Sequence, residues 1–334
     1  MPPPNWNDIS RYRGELFGLS IGSIMLLHAL GWLRMGHPGG LFALLTKAYD
    51  GAIGSVGVDI FLFLSGFGIF YSLSSSPRAG GFYRKRFRRV LFPYLLVGAV
   101  YWFLRDILLL HASWGTFFYD YSTLSFWGNG TKAYWFIALL CPLYLLAPWV
   151  GTHRPAWWLL ALMLAPLLLA LLLARFAPLR FGEIEIALLR IPAFWCGMAC
   201  APWAMGKKRI PPWLLLASVL AVPLKLVLVL GDGPFARLAN WPYSLFLVFL
   251  YLLARNNAVV PDCVGKALQA FGKYSLELFL VHIAVRDLAL LAGFPATWAV
   301  CGGGMALSVA LAIALSRLLS RWTAPGGMPQ RRIS

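Results

Sequence analysis

The 334 residues carry 29 Lys and Arg against 12 Asp and Glu, a formal charge of +17, yet only 12% are charged and 60% are hydrophobic. A water-soluble domain carries about 25% charged residues and a disordered chain needs low hydrophobicity, so a mean hydropathy of +0.71 excludes both. What remains is an all-α polytopic membrane helix bundle, whose basic excess belongs to cytoplasmic loops rather than to nucleic-acid binding.

The opening stretch, MPPPNWNDISRYRGE, is polar and shows no cleavable signal pattern, so the first apolar run is expected to stay in the mature chain. A bilayer core about 30 Å thick takes roughly 20 apolar residues per helix. That length predicts ten spans in one integral membrane domain, residues 1–334: 16–34, 52–73, 90–111, 133–151, 156–175, 184–204, 212–231, 240–254, 275–293 and 297–316. The eighth is short and opens on Trp241-Pro242, which marks it for a break or tilt. With both termini cytoplasmic, nineteen of the 29 basic residues fall in inside loops and six in outside loops. The other four, Arg105, Arg190, Lys225 and Arg286, lie within spans. This asymmetry is what the positive-inside rule expects of ten spans.

Ionisable groups within a membrane are costly and face the bundle interior, where they serve a site or a pathway. At about 1.5 Å per residue, His28 lies a little beyond the midplane. Asp59 and Arg190 lie in the outer half, and His282 near the midplane with Arg286 one turn further on. Intramembrane charge thus gathers around one histidine of the first span, as in a polar chamber closed toward the cytoplasm. At the cytoplasmic entry to the third span stands FYRKRFRRVLFPY, residues 82–94, with five basic residues in six positions. Such a run suits phosphate, because guanidinium forks match its oxygens, or the anionic lipid headgroups next to a positive-inside anchor.

Six segments, in order, resemble the acyltransferase-3 family of integral membrane acyltransferases. IGSVGVDIFLFLSGFGIFYSL (53–73) is similar to the family's G-V-x-x-F-F-x-x-S-G-F helix, and RYRGELFGLSIGSIMLLH (11–28) to its first helix ending in histidine. FYRKRFRRVLFPY matches its R-x-x-R-x-x-P-Y entry, with Arg86 and Arg89 as the pair. AYWFIALLCPLYLLAP (133–148), RIPAFWCGM (190–198) and GKYSLELFLVH (272–282) complete the series. The better-known branch carries an arginine eleven positions before the helix-1 histidine. Here Phe17 stands in that place and Arg13 lies four residues earlier, so either Arg13 takes over the role or the role is absent.

The resemblance implies transfer of an acyl group, usually acetyl from acetyl-CoA, to a hydroxyl of an envelope or secreted carbohydrate or glycolipid, at a bacterial cytoplasmic membrane and without a metal. A sugar hydroxyl needs a base, and neutral imidazole suits that task near pH 7. His28 is therefore expected as general base and Asp59 as the group that orients it. Arg86 and Arg89 are expected to hold the CoA phosphates, and Arg190 or Arg286 to stabilise the oxyanion. His282 is either an interhelical hydrogen-bonding group or a substrate or oxyanion contact.

Rival readings are a transporter using the buried charges as a pathway, or a subunit that passes acyl groups to an outside partner. Against the transporter, the chain shows no repeated half. The five cysteines form no C-x-x-C pair and no zinc spacing, and Cys196 and Cys200, one turn apart, read as packing residues.

Overall fold

The computed structural model describes residues 4–75, 79–151, 155–230 and 235–323. Arg78, Arg154, Arg331 and Arg332, which count in the charge bias, and the loop residue His153 lie outside the described residues. The described residues are overwhelmingly helical, with no strand among them. In hydrocarbon a backbone has to satisfy its own polar groups, and a helix does so within one segment.

The first expected span lies within α1, Arg13–Gly36. A further helix, α2, Gly40–Ala52, occupies what reads as a loop, and α3, Gly57–Ser75, carries the second span. α4 runs over Ala79–Leu109, widened at Phe87–Leu91 and Phe103–Leu109. It begins eleven residues earlier than expected, so the basic run forms helical turns rather than a loop. α5 is Trp135–Val150 and α6 is Ala156–Phe176. The expected span 184–204 is divided into α7, Pro178–Leu188, and α8, Ile191–Met205, with Arg190 at the join and Pro192 in the first turn of α8. Proline is tolerated there because its missing N–H would have had no helical partner.

The span 212–231 is likewise divided, into α9, Pro212–Val219, and α10, Ala221–Leu230. α11 is Asn240–Asn256 and α12, an amphipathic helix, is Asp262–Lys273. α13, Ser275–Leu291, and α14, Trp298–Thr323, follow. Among the described residues, six helical runs are long and apolar enough to cross a membrane: Arg13–Gly36, Gly40–Ser75, Ala79–Leu109, Trp157–Phe176, Pro178–Met205 and Trp298–Arg321.

The bundle is turned inside out relative to a soluble protein. Large apolar side chains cover its outside, as on α6, where Leu164, Leu168 and Leu171 are each more than half exposed. Asp59, Asp106, Arg190, Lys225 and His282 are buried within. An exposed apolar surface of this extent requires hydrocarbon around it. At the centre, α3 and α8 cross on Gly66 and Gly197. A Cβ on Gly66 would fall on the Phe194 carbonyl, and one on Gly197 on that of Phe63. Small residues at such crossings let backbones approach closely, which supplies packing where no hydrophobic effect acts between helices.

Candidate active site

α1 and α13 bring together two histidines separated by 254 residues. His28 Nδ1 lies 2.8 Å from His282 Nε2, while His282 Nδ1 lies 2.6 Å from the carbonyl oxygen of Leu278, one turn back on its own helix. A carbonyl only accepts, so His282 carries its proton on Nδ1 and donates it there. In a neutral ring Nε2 is then an acceptor. His28 consequently donates from Nδ1, and its unshared pair stays on Nε2. This is the tautomer a general base needs, and one hydrogen bond to a neighbour sets it. His282 is fully buried and His28 half-buried, so the buried ring fixes the more accessible one.

Both helices are anchored near the pair. On α1, Ser20 Oγ donates to the Gly57 carbonyl at 2.5 Å and Tyr49 Oη to that of Ser23 at 3.0 Å. On α13, the Leu280 carbonyl accepts from Tyr134 Oη at 2.9 Å. Tyr134 sits at φ 53°, a left-handed conformation uncommon for a residue with a Cβ.

Among the described residues, no hydrogen bond joins Asp59 to His28. Arg190 Nε donates to its Oδ2 at 3.1 Å, both side chains are buried, and Arg190 Nη2 also reaches the Ser55 carbonyl at 2.8 Å. The Arg190 guanidinium lies 5.2 Å from the Trp135 ring centre. Beside this pair, the buried Lys225 ammonium donates to Asn240 Oδ1. A buried arginine with a carboxylate and a carbonyl is a structural tie between α3 and the join of α7 and α8. The hydrogen-bonding partner of His28 is His282 instead.

Arg286, one turn beyond His282, acts electrostatically on both histidines. Its Nη1 pairs with Asp287 at 3.0 Å, and its buried Nε has no partner. Asp287 also accepts from Tyr101 Oη at 3.4 Å and lines a cavity of 360 Å³ with Tyr101, Arg105, Thr131 and Lys132.

Arg86 and Arg89 lie at the other end of the bundle, and Arg13 joins them. The Arg13 guanidinium packs on Gly68 and over Phe17, and both Arg86 and Arg89 act on it electrostatically. Arg86 lies over Phe82 and Tyr144, at 5.5 and 5.6 Å from the ring centres. The Nε atoms of Arg13 and Arg86 are buried without a partner. A run of aromatic rings leads from these arginines to the histidines: Phe17 to Phe61 at 4.8 Å, Phe61 to Phe136 at 5.6 Å, Phe136 to Phe279 at 5.2 Å and Phe279 to His282 at 6.0 Å.

Sequence reasoning left Arg13 open and did not pair the histidines. The available signals were a lone cation at the start of α1 and two histidines at matching depth.

The bundle thus holds two hydrogen-bonded histidines within it and, at one end, Arg13, Arg86 and Arg89, which have no ion pair to a carboxylate among the described residues. A family model described as an acyltransferase domain matches residues 18–317, nearly the whole chain, and the protein belongs to that acyltransferase-3 family. It is a multi-pass membrane acyltransferase, and membership favours the enzyme over the transporter. Neither the comparison with curated proteins nor that with solved structures found a match.

Proposed function

We propose that this protein moves an acyl group, acetyl in the simplest case, from acyl-CoA to a hydroxyl of an envelope or secreted carbohydrate or glycolipid. It does so in a bacterial cytoplasmic membrane, crossed ten times with both termini inside. The observation that carries this reading is the hydrogen-bonded run from the Leu278 carbonyl through His282 to His28, which leaves Nε2 of His28 free as a base.

In the proposed reaction the acceptor hydroxyl gives its proton to His28 Nε2 as its oxygen attacks the thioester carbonyl. The imidazolium so formed keeps its Nδ1–H on His282 Nε2. The carbonyl π pair moves onto oxygen, and in this reading Arg286 stabilises that oxyanion. Collapse breaks the C–S bond, and the thiolate takes the proton back from His28 to leave as CoA. Arg13, Arg86 and Arg89 hold the CoA phosphates at the cytoplasmic end, where guanidinium forks match phosphate oxygens. The pantetheine arm then passes along the rings of Phe17, Phe61, Phe136 and Phe279 toward His28, while the acceptor comes from the opposite side.

The test is acetyl-CoA consumption by the purified full chain in phosphatidylcholine vesicles, with a host glycan extract as acceptor. A His28→Ala variant is expected to lose turnover by about 10²- to 10⁴-fold, the usual contribution of a general base. Turnover that survives the substitution unchanged refutes the mechanism. Mass spectrometry of host glycans with and without the gene identifies the acceptor by its lost acyl groups.

A further inference from the structure

The end of the bundle that carries Arg86 and Arg89 also carries α12. This helix docks closely on α1 through glycines, since a Cβ on Gly18 would meet the Leu268 carbonyl and one on Gly272 that of Gly14. The close fit turns one face of α12, with Lys266, Gln269 and Lys273, into a cavity of 590 Å³ that Arg13, Phe17 and Arg89 also line. Spacings of three, four and seven place the three α12 side chains on one stripe. Arg89 and Lys273 are shared with an adjoining cavity of 380 Å³, lined also by Arg88, Ser275, Glu277 and Ser316.

Most carboxylates at this end are engaged elsewhere, and Glu277 is the one that stays in the adjoining cavity beside Arg88, Arg89 and Lys273. Glu15 accepts from Arg255 at 3.1 Å and from Tyr251 at 2.5 Å. Asp262 pairs with Arg255 at 2.8 Å, and Asp8 accepts from Asn256 at 2.9 Å and from the Asn5 amide at 2.8 Å. Among the described residues, no ion pair within 4.0 Å joins a carboxylate to Arg13, Arg86, Arg88, Arg89, Lys266 or Lys273. The cations thus make two centres along one continuous cleft, arginines with buried guanidinium atoms and exposed lysines on α12, joined where Arg89 and Lys273 line the same cavities.

A cleft lined by one sign of charge concentrates the opposite sign, and two centres fit an anion with two separate phosphate positions. CoA has a diphosphate and, on the ribose, a lone 3′-phosphate. Forked guanidinium groups suit the diphosphate, and ammonium groups, which act as compact point charges, suit the dianionic monoester. A lipid with one phosphodiester carries a single charge at a single position and would leave one centre unused.

We infer that Lys266, Lys273 and Gln269 form a subsite for the 3′-phosphate of the CoA adenosine, by which the enzyme distinguishes CoA from its 3′-dephospho form. The inference rests on acyl-CoA being the donor.

The experiment compares acetyl-CoA with acetyl-3′-dephospho-CoA on the purified full chain in phosphatidylcholine vesicles. For the native protein kcat/KM is expected to fall at least tenfold without the 3′-phosphate, the scale of one charge-assisted contact. Lys266→Ala and Lys273→Ala should lose the same factor on acetyl-CoA and little on the dephospho donor. Equal use of both donors by the native protein, or equal losses on both in the variants, overturns the subsite. In vesicles containing an anionic phosphatidylglycerol the discrimination should persist, and its disappearance would make the lysines a headgroup site instead. Should neither donor be consumed, the donor reading fails and the subsite with it. Direct titration with adenosine 3′,5′-bisphosphate against adenosine 5′-diphosphate reads the same preference without catalysis, and tighter binding of the bisphosphate to native protein alone is the supporting result.

Discussion

His28 and His282 meet at 2.8 Å across two helices whose sequences are 254 residues apart, and the second ring is locked by its own helix through the Leu278 carbonyl. In hydrolytic triads a carboxylate holds the tautomer of the base. In the mechanism proposed above a neutral imidazole takes that place, which spares the histidine pair an adjoining buried carboxylate and its desolvation cost.

The dyad predicts different outcomes for two substitutions at His282. Glutamine can accept from His28 Nδ1–H through its carbonyl and donate through its amide, whereas alanine can do neither. His282→Ala is expected to lower kcat by roughly 10- to 100-fold, below the loss for the base itself, and His282→Gln to recover much of it. The KM for acyl-CoA should stay the same in both. Equal losses in the two variants would reduce His282 to a packing residue.

The arginines predict the opposite kinetic signature. Arg13→Ala, Arg86→Ala and Arg89→Ala should each raise the KM for acyl-CoA by about ten- to a hundredfold, the scale of one charged hydrogen bond, with a smaller change in kcat. Lysine should rescue Arg86 poorly, because a point charge does not reproduce a fork stacked between Phe82 and Tyr144. Initial-rate kinetics over donor concentration separate the two parameters. A loss confined to kcat in these variants would move the donor phosphates to another surface.

What could be read from the sequence followed from what hydropathy and short motifs encode. The apolar runs, the basic stretch before Pro93 and the histidine of the first span are local signals, and each falls on helix in the structure. Three features were hidden for physical reasons. α12 is amphipathic and too polar for an apolar-run ruler, although Lys266, Gln269 and Lys273 recur with helical period. The division at Arg190 depends on Pro192, which a length count passes over. That His282 rather than Asp59 is hydrogen-bonded to His28 is a matter of long-range packing: depth along a helix placed all three groups nearby, but not the rotation of each helix about its axis.

Asp59 and Arg190 therefore make a prediction about stability rather than chemistry. Both are buried, at 0% and 3% side-chain exposure, so removing one leaves the other without its hydrogen-bonded partner charge. Asp59→Asn or Arg190→Met alone is expected to cost about 3–5 kcal/mol, whereas the double replacement Asp59→Leu with Arg190→Met should recover most of it. Thermal unfolding in detergent micelles measures this. An Asp59→Asn protein as stable as the native one yet inactive would return Asp59 to the reaction.

The crossing of α3 and α8 gives a last prediction, in which the same substitution has one sign at two glycines and the opposite sign at a third. Gly66 and Gly197 face each other's backbone, so an added methyl must displace Phe194 or Phe63 main chain that neither helix can move alone. Overpacking of this kind costs typically 1–3 kcal/mol, and the separation of α3 from α8 would also strain the tie at Asp59 and Arg190. Gly22 on α1 has nothing within 4 Å of its Cβ position, so alanine there is expected to gain about 0.5–1 kcal/mol from helix propensity. Melting temperatures of Gly66→Ala, Gly197→Ala and Gly22→Ala, measured side by side in the same detergent, should fall, fall and rise. A rise for either of the first two would mean that the helices are held apart by other side chains and that the small residues are incidental to the crossing.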